Sequence, residues 1–542
     1  MLAGILLLAF MHVTFADEMA PVKSAQAADH VKVRTVSWEG SSTRVANARL
    51  AALKENLLHK TLDRAQLEQI LADLTMELRN GGLMIAQVIM TPASRTAFFS
   101  TGELYLNVFE GKIGAIDLIN TSLVDTTRLQ QVSEKALCPE GIGNDCILTA
   151  QKMERATQLL QDITGVKLER PQLSPKGVAV GQTRVEITVA KNIERYSGSV
   201  SADNNGVGST GKNRLGVVGA MNNVLGQGDV LNLGFNTTSR QQNSGLIGFK
   251  VPLGSDGWRG TSSLSRSLFS VSAVNSDGRA DTATLGLAYP LLRGLERNSM
   301  LALDGVATHS LVNTLGVKVS DKQLYSLRGS LDFNSGDRAL QLGQSFWSGN
   351  MALSLGSVAD HTATGNPANQ LGSYQKLGFN LLRRQNFDNS GNAYGLLSLR
   401  GQLASRNLDP SEKISLGGLS GVRAFRNDEG SLDDGMIVTM ELRHRTILSS
   451  GDMFAPGIFI DYANGNINHQ TYSNWQIQSG YSSSSISNHR SLSAFGMALD
   501  WLSPTRLSGT LVWAKRMPGS ADSINYPGSA TSRIWLVLGY GF

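Results

Sequence analysis

The chain has 542 residues, a formal net charge of +5, 17% charged and 6% aromatic residues, and 57 glycines. That length allows several domains or one large barrel with accessories. So little charge and so much glycine argue against a helical enzyme and for many strands joined by tight turns. The basic excess is spread along the chain with no Lys/Arg block, so no nucleic-acid partner is expected.

Residues 1–16 read as a signal peptide. Leu2 to Phe15 are apolar but too few to span a bilayer, and Thr14 and Ala16 are the small residues before a cleavage point. A short segment, 17–30, follows. No later run reaches eighteen apolar residues, so no membrane-spanning helix is expected.

Residues 31–112 pattern as a first α+β module. Val31 to Trp38 alternate as a strand, and Arg44 to Leu58 read as a helix. Leu67, Ile70, Leu71, Leu74 and Leu78 fall at helical spacing after a cap at Asp63, and Gly81-Gly82 end that helix. Ile85 to Met90 and Glu103 to Glu110 read as strands, with no helix predicted between them. Residues 113–192 repeat the pattern, with helices over Thr127 to Leu137 and Thr149 to Asp162 between strands. Cys138 and Cys146, in CPEGIGNDC, are the only cysteines, and in an exported chain they predict a short-loop disulfide. Neither CxxC nor HExxH occurs and the eight histidines are scattered, so no metal or cofactor is expected.

From 193 to 542 the helical pattern ends and apolar and polar residues alternate. Leu231, Leu233 and Phe235 share one face of a strand; Asn232, Gly234 and Asn236 share the other. This is the dyad pattern of a membrane β-barrel, apolar toward lipid and polar toward the lumen. About sixteen strands are predicted, the ninth starting near Arg338. Even-to-odd links, such as Phe387 to Gly391, are short. The long links, Met351 to Leu371, Arg406 to Asp433 and Asn466 to His489, are odd-to-even. Short turns belong on the periplasmic side and long loops outside, which also places the two N-terminal modules in the periplasm. The chain ends TSRIWLVLGYGF, with Phe542 as its terminal aromatic.

Two motif-like stretches carry no chemistry. GVGSTGKN, Gly206 to Asn213, lacks the Ser/Thr of a phosphate loop after Lys212 and lies between two strands rather than before a helix. Ser420 in GGLSGV lacks the second glycine of a nucleophile elbow, and no His and acid can be ordered around it. No catalytic residues are expected.

The longest link contains LGGLSGVRAFRNDEG, Leu416 to Gly430. The strand after it puts Glu441 and Arg443 on the lumen side. In the next, GIFID, alternation turns Gly457, Phe459 and Asp461 inward. A guanidinium matches a carboxylate bidentately, so Arg423 folded back into the lumen would meet Asp461.

These residues carry a resemblance. Gly417-Gly418 with Val422-Arg423-Ala424-Phe425 looks like the sixth-loop motif of the outer-membrane barrel-assembly superfamily, with Ala424 where the motif has glycine. Gly457 to Asp461 resembles its partner motif on strand thirteen, and Asn222 to Asp229 its turn between strands two and three. Val108 to Ile113 and Met153 to Val189 resemble the two POTRA domains of TpsB transporters, the two-partner secretion proteins of the haemolysin secretion/activation group.

The resemblance implies that Arg423 and Asp461 lock the loop to the barrel, with Val422, Phe425 and Phe459 around them. It implies an outer-membrane transporter of a Gram-negative bacterium, set in outer-membrane lipid. Its cargo is one large secreted partner protein of the TpsA type, passed unfolded and activated or only exported. Phe542 is then the signal read by the barrel-assembly machinery at insertion. A general assembly factor for outer-membrane proteins is the alternative. Residues before Val31 are too few for the plug helix and linker that some members have.

Overall fold

The computed structural model describes residues 30–542 except 144–145, 193, 338, 340–342, 364, 479–485 and 525–527. The expected signal peptide and the segment to Asp29, where a plug helix would sit, lie outside the described residues. The chain divides into two units, one ending at Glu110 and one running from Gly111 to Phe542.

The first unit packs helices α1 (Arg44–Leu57), α2 (Arg64–Asn80) and α3 (Pro92–Thr101) against a sheet. The sheet orders Thr35–Glu39, Glu103–Phe109 and Gln87–Ile89, the first pair parallel and the second antiparallel. A capping box between Asp63 and Gln66 starts α2 and buries Leu67, Leu71, Leu74 and Leu78. The predicted first strand splits, because Val31–Lys32 pairs separately with Thr61–Leu62.

Helix α3 corrects the expectation of two strands with no helix between them. Thr91 accepts the Ser94 N–H at 3.1 Å, Pro92 sits in the first turn, and Gly102, at φ 79°, ends the helix in a left-handed conformation. Only Phe98 of its ten residues is buried, so apolar periodicity carried no signal there.

Glu110 closes this unit with a buried carboxylate. It accepts the hydroxyls of Ser42 and Thr43, each at 2.6 Å, and the Thr43 N–H at 2.8 Å. Burial pushes its pKa up, but these hydrogen bonds outweigh burial and hold it below the usual carboxylate value.

The second unit begins with a module in which Lys112–Asn120 runs parallel to Gln182–Lys191. The latter strand also pairs Val166–Leu168 and Gln172–Ser174. Helices α4 (Thr126–Leu137) and α5 (Ala150–Gln161) pack on each other beside the sheet. Cys138, capping α4, is disulfide-bonded to Cys146.

The chain then forms a closed barrel of sixteen antiparallel strands among the described residues. They are β1 (Tyr196–Asp203), β2 (Arg214–Asn222), β3 (Val230–Thr238), β4 (Gln242–Leu253), β5 (Trp258–Val271) and β6 (Ser276–Arg293). Next come β7 (Asn298–Thr314), β8 (Val317–Asn334), β9 (Phe346–Asp360), β10 (Gly372–Asn386) and β11 (Ala393–Ala404). The last are β12 (Asp434–His444), β13 (Met453–Asn466), β14 (His489–Leu502), β15 (Leu507–Arg516) and β16 (Ser532–Gly541). Closure pairs the two end strands with each other, a partner lipid cannot supply. The closing pair is short: only Ser199–Asp203 of β1 meets Val537–Gly541 of β16. Phe542 adds two backbone hydrogen bonds to Gly198, at 2.9 and 3.0 Å.

Strand β9 starts at Phe346, not near Arg338. Gly336, at φ 88°, turns the chain after β8, and Asp337 is drawn to Arg293 rather than into a ladder. Outward apolar alternation resumes at Trp347 and continues through Met351, Leu353 and Leu355. The expected loop from Met351 is therefore strand as far as Asp360, and the link is 361–371.

The second module docks on the nearby barrel turns. The Asp125 N–H donates to the Gly226 carbonyl at 2.8 Å, and Asn223 Nδ2 to the Leu123 carbonyl at 2.7 Å. Asp162, at the end of α5, is held by Arg293 Nη2 at 2.7 Å and by Arg259. Arg293 also reaches Asp337 at 2.7 Å, and Arg155 reaches Asp256 at 3.2 Å. The turns after β2, β4 and β6 thus carry the module.

Candidate functional site

The link 405–433 between β11 and β12 folds back into the lumen rather than standing off the barrel. Its base is tied to the wall by two ion pairs, Lys322–Asp409 and Lys376–Glu412, each 2.6 Å, and is closed on itself by Lys413–Asp433, 3.2 Å. Further in, the Val422 N–H donates to the Leu416 carbonyl at 2.8 Å, and Gly417 bridges Val422. Gly418 turns there at φ 84°, a conformation that side chains resist. Ala424, where the motif has glycine, needs no such freedom: it is fully buried and lies outside the positive-φ residues. Leu416, Val422, Ala424 and Phe425 join Phe459, Leu492 and Val512 in one apolar cluster against β12–β16.

At the tip, Arg423 lies on Asp461 of β13. Its Nη2 is 2.7 Å from Oδ1, its Nε donates to Oδ2 at 2.9 Å, and its backbone N–H donates to Oδ2 at 3.0 Å. Thr439 Oγ1 adds a bond to Oδ1 at 3.0 Å, so the fully buried carboxylate is saturated. The fork-to-carboxylate geometry is the strongest neutral-pH pairing that two side chains make. The guanidinium carbon lies 3.3 Å from the centre of the Phe459 ring, a cation–π contact below it.

Sequence reading placed Glu441 and Arg443 in the lumen without a partner. The structure puts both in the network: Arg423 Nη1 is 2.7 Å from Glu441 Oε1, and Arg443 Nε donates to Glu441 Oε2 at 2.8 Å. Arg443 Nη1 continues to Asp500 of β14 at 2.5 Å, and Thr510 of β15 donates to Asp500 at 2.7 Å. Carboxylates and guanidinia therefore alternate from Asp461 through Arg423, Glu441 and Arg443 to Asp500. A side chain at Gly457 would meet Arg443 Cδ at 2.5 Å, which explains a glycine opposite that arginine.

Three residues that sequence reading missed also hold the tip. Trp535 of β16 donates Nε1 to the Arg423 carbonyl at 2.7 Å, and Arg516 of β15 lies 4.3 Å over the Phe425 ring. Glu429, fully buried, accepts from Ser523 Oγ at 2.5 Å and the Ile524 N–H at 2.8 Å in the link 517–531. Inward register was the available signal for Asp500 and Trp535; Glu429 had none, because a loop has no period.

A sixteen-strand barrel preceded by α+β modules, with an arginine-bearing loop clamped to its inner wall, defines an outer-membrane transporter of the barrel-assembly kind. The chain belongs to the haemolysin secretion/activation protein family ShlB/FhaC/HecB, whose sequence profile matches residues 181–526; residues 31–111 match a POTRA domain of the ShlB type. It is a TpsB-type transporter. A curated relative, the heme/hemopexin transporter protein HuxB of Haemophilus influenzae, is 24% identical over 443 residues, 78% of this chain and 74% of the relative. The solved structure of CdiB from Escherichia coli matches with TM-score 0.72 and 18% identity, covering 97% of this chain and 93% of that one. BamA from Haemophilus ducreyi lacking POTRA domains 1–3 matches with TM-score 0.51 and 14% identity, over 94% and 100% of the two chains.

Proposed function

We propose that this protein exports one large, β-rich secreted partner, passing it unfolded through the barrel to the cell surface, and that it does so without catalysing a reaction. The observation that supports this is the loop held across the lumen by Arg423 and Asp461: an ionic clamp on a loop makes a gate, where a passive pore needs none. HuxB is named as a transporter of heme/hemopexin, and the family as one of secretion and activation.

In this reading both modules lie in the periplasm, the oxidising compartment that suits the Cys138–Cys146 disulfide. Past its bridge to Ile147, the free side of the edge strand Lys112–Asn120 offers backbone groups to an extended client. Such pairing reads main chain rather than side chains, as an unfolded cargo requires. No nucleotide is at hand outside the inner membrane, so folding of the cargo at the surface biases the direction. Phe542 presents the barrel to the assembly machinery at insertion.

Deleting the gene tests this. Surface proteomics is expected to lose one large protein and leave other outer-membrane barrels unchanged. A general fall in outer-membrane barrels would replace export by assembly as the function.

A further inference from the structure

We propose that the outer wall of β5–β8 carries a binding site for the phosphate groups of an outer-leaflet glycolipid. The site rests on the orientation given above, with the module end of the barrel in the periplasm.

The four strands run 14, 18, 17 and 18 residues, where about 9–11 cross the apolar layer. They therefore rise beyond it. Along β5 the outward face begins at Trp258, whose ring packs 4.8 Å from that of Tyr289, the aromatic pair of a membrane girdle. Outward Leu264, Leu285, Leu303 and Leu327 then form an apolar band, each about half exposed or more.

Toward the top of that band charged side chains join the apolar ones on the outward face, with Leu268 and Leu311 level with Arg279. Arg266 stands opposite Asp281, Asp281 opposite His309, and His309 opposite Gln323, one row across four strands. Arg279 and Lys318 lie just above it. Arg266 is eight residues beyond Trp258 on β5. At about 3.4 Å per residue and a tilt near 40°, that is roughly 20 Å higher, about 5 Å short of the top of an apolar band about 25 Å tall. The row thus sits near the upper interface, where outward charge costs less than at the midplane.

The cations are held out rather than tucked in. Arg266 Nη2 is 3.1 Å from Asp281 Oδ2, yet its side chain is 60% exposed. Arg279 Nε is 3.7 Å from the same carboxylate, and Lys318 pairs Asp321 at 2.9 Å while half exposed. Asp281 and Asp321 hold three cations that all stay about half exposed. His309 Nε2, 2.9 Å from Asp321, lies between them. Four strands at about 4.8 Å spacing span roughly 14 Å, wide enough for a headgroup with two phosphates. The neighbours in that row, Gly245 on β4 and Ala359 on β9, are uncharged, so the charge is local to these four strands.

Full-length protein in mild detergent is stripped of lipid and titrated with bisphosphorylated lipid A, with dephosphorylated lipid A, and with inorganic phosphate. Wild type is expected to bind bisphosphorylated lipid A about tenfold or more tightly than Arg266→Ser/Arg279→Ser/Lys318→Ser, a loss of charge-assisted bonds. Arg266→Lys/Arg279→Lys, which keeps the charge, is expected to retain most binding even if the triple variant folds poorly. Equal binding by the serine variant, equal binding of dephosphorylated lipid A, or displacement by inorganic phosphate alone overturns the site. Leu315→Cys, in the β7–β8 hairpin, is expected to react with an impermeant maleimide on intact cells. A silent Leu315→Cys overturns the orientation, and a reactive one with no lipid A preference overturns the site alone.

Discussion

At the scale of single residues, Arg423 is the charge that joins the lumen loop to Asp461. Replacing it with alanine strands Asp461 in a fully buried position, a loss of about 3–5 kcal/mol for a buried pair broken on one side. Arg423→Ala is expected to lower secretion while leaving barrel insertion intact, as read by heat-modifiable gel mobility. The charge-swapped pair Arg423→Asp/Asp461→Arg is expected to recover part of it, and normal secretion by both single alanine variants would remove the clamp from the mechanism. Glu110 gives a pH prediction with a definite sign. Its folded pKa lies below the ordinary 4.5, so its stabilisation is complete above that value and lost as pH falls through the depressed one. Hydrogen exchange at the start of α1 is expected to accelerate in wild type only once pH falls below the ordinary carboxylate range, and to be fast already at neutral pH in Glu110→Gln. The meeting of Arg423 with Asp461 could be read from the chain because one residue was a lone charge in an apolar stretch and the other fell on a strict inward period. The onward path to Asp500 crosses from β12 to β14, and only strand neighbours in space reveal it.

At the scale of elements, alternation marks strands wherever one face meets lipid, which is why the barrel could be read from the sequence. It fails where a strand leaves the membrane, because both faces are then wet: β6 and β8 begin at Ser276 and Val317, above the membrane and several residues ahead of their apolar period. Helix α3 was hidden for the opposite reason, having one buried side chain but full capping chemistry at Thr91, Pro92 and Gly102. The module-to-turn contacts depend on charged residues at turn ends and had no pattern to follow. Asp162 is the element to test, since one carboxylate holds Arg259 and Arg293 together. Asp162→Ala is expected to raise hydrogen exchange in α5 and in the turn 294–297 several-fold, leaving the strands of β12–β16 unchanged.

At the scale of the whole molecule, the barrel has two unlike halves. The wall of β12–β16 is packed by the lumen loop, while the turns after β2, β4 and β6 carry the second module. The two attachments therefore grip different arcs of one ring. The ring itself is sealed by a pairing of residues from the two extremes of the barrel sequence, near 200 and near 540. No earlier strand can substitute for β16 there. Until those last residues are made, β1 and β15 both present bare edges, the surfaces most prone to pair with a wrong neighbour. A polypeptide released even one strand early is thus an open ribbon with two adhesive margins. Such a molecule must be shielded during its passage to the membrane, and its completion can be recognised by the same residues that close it.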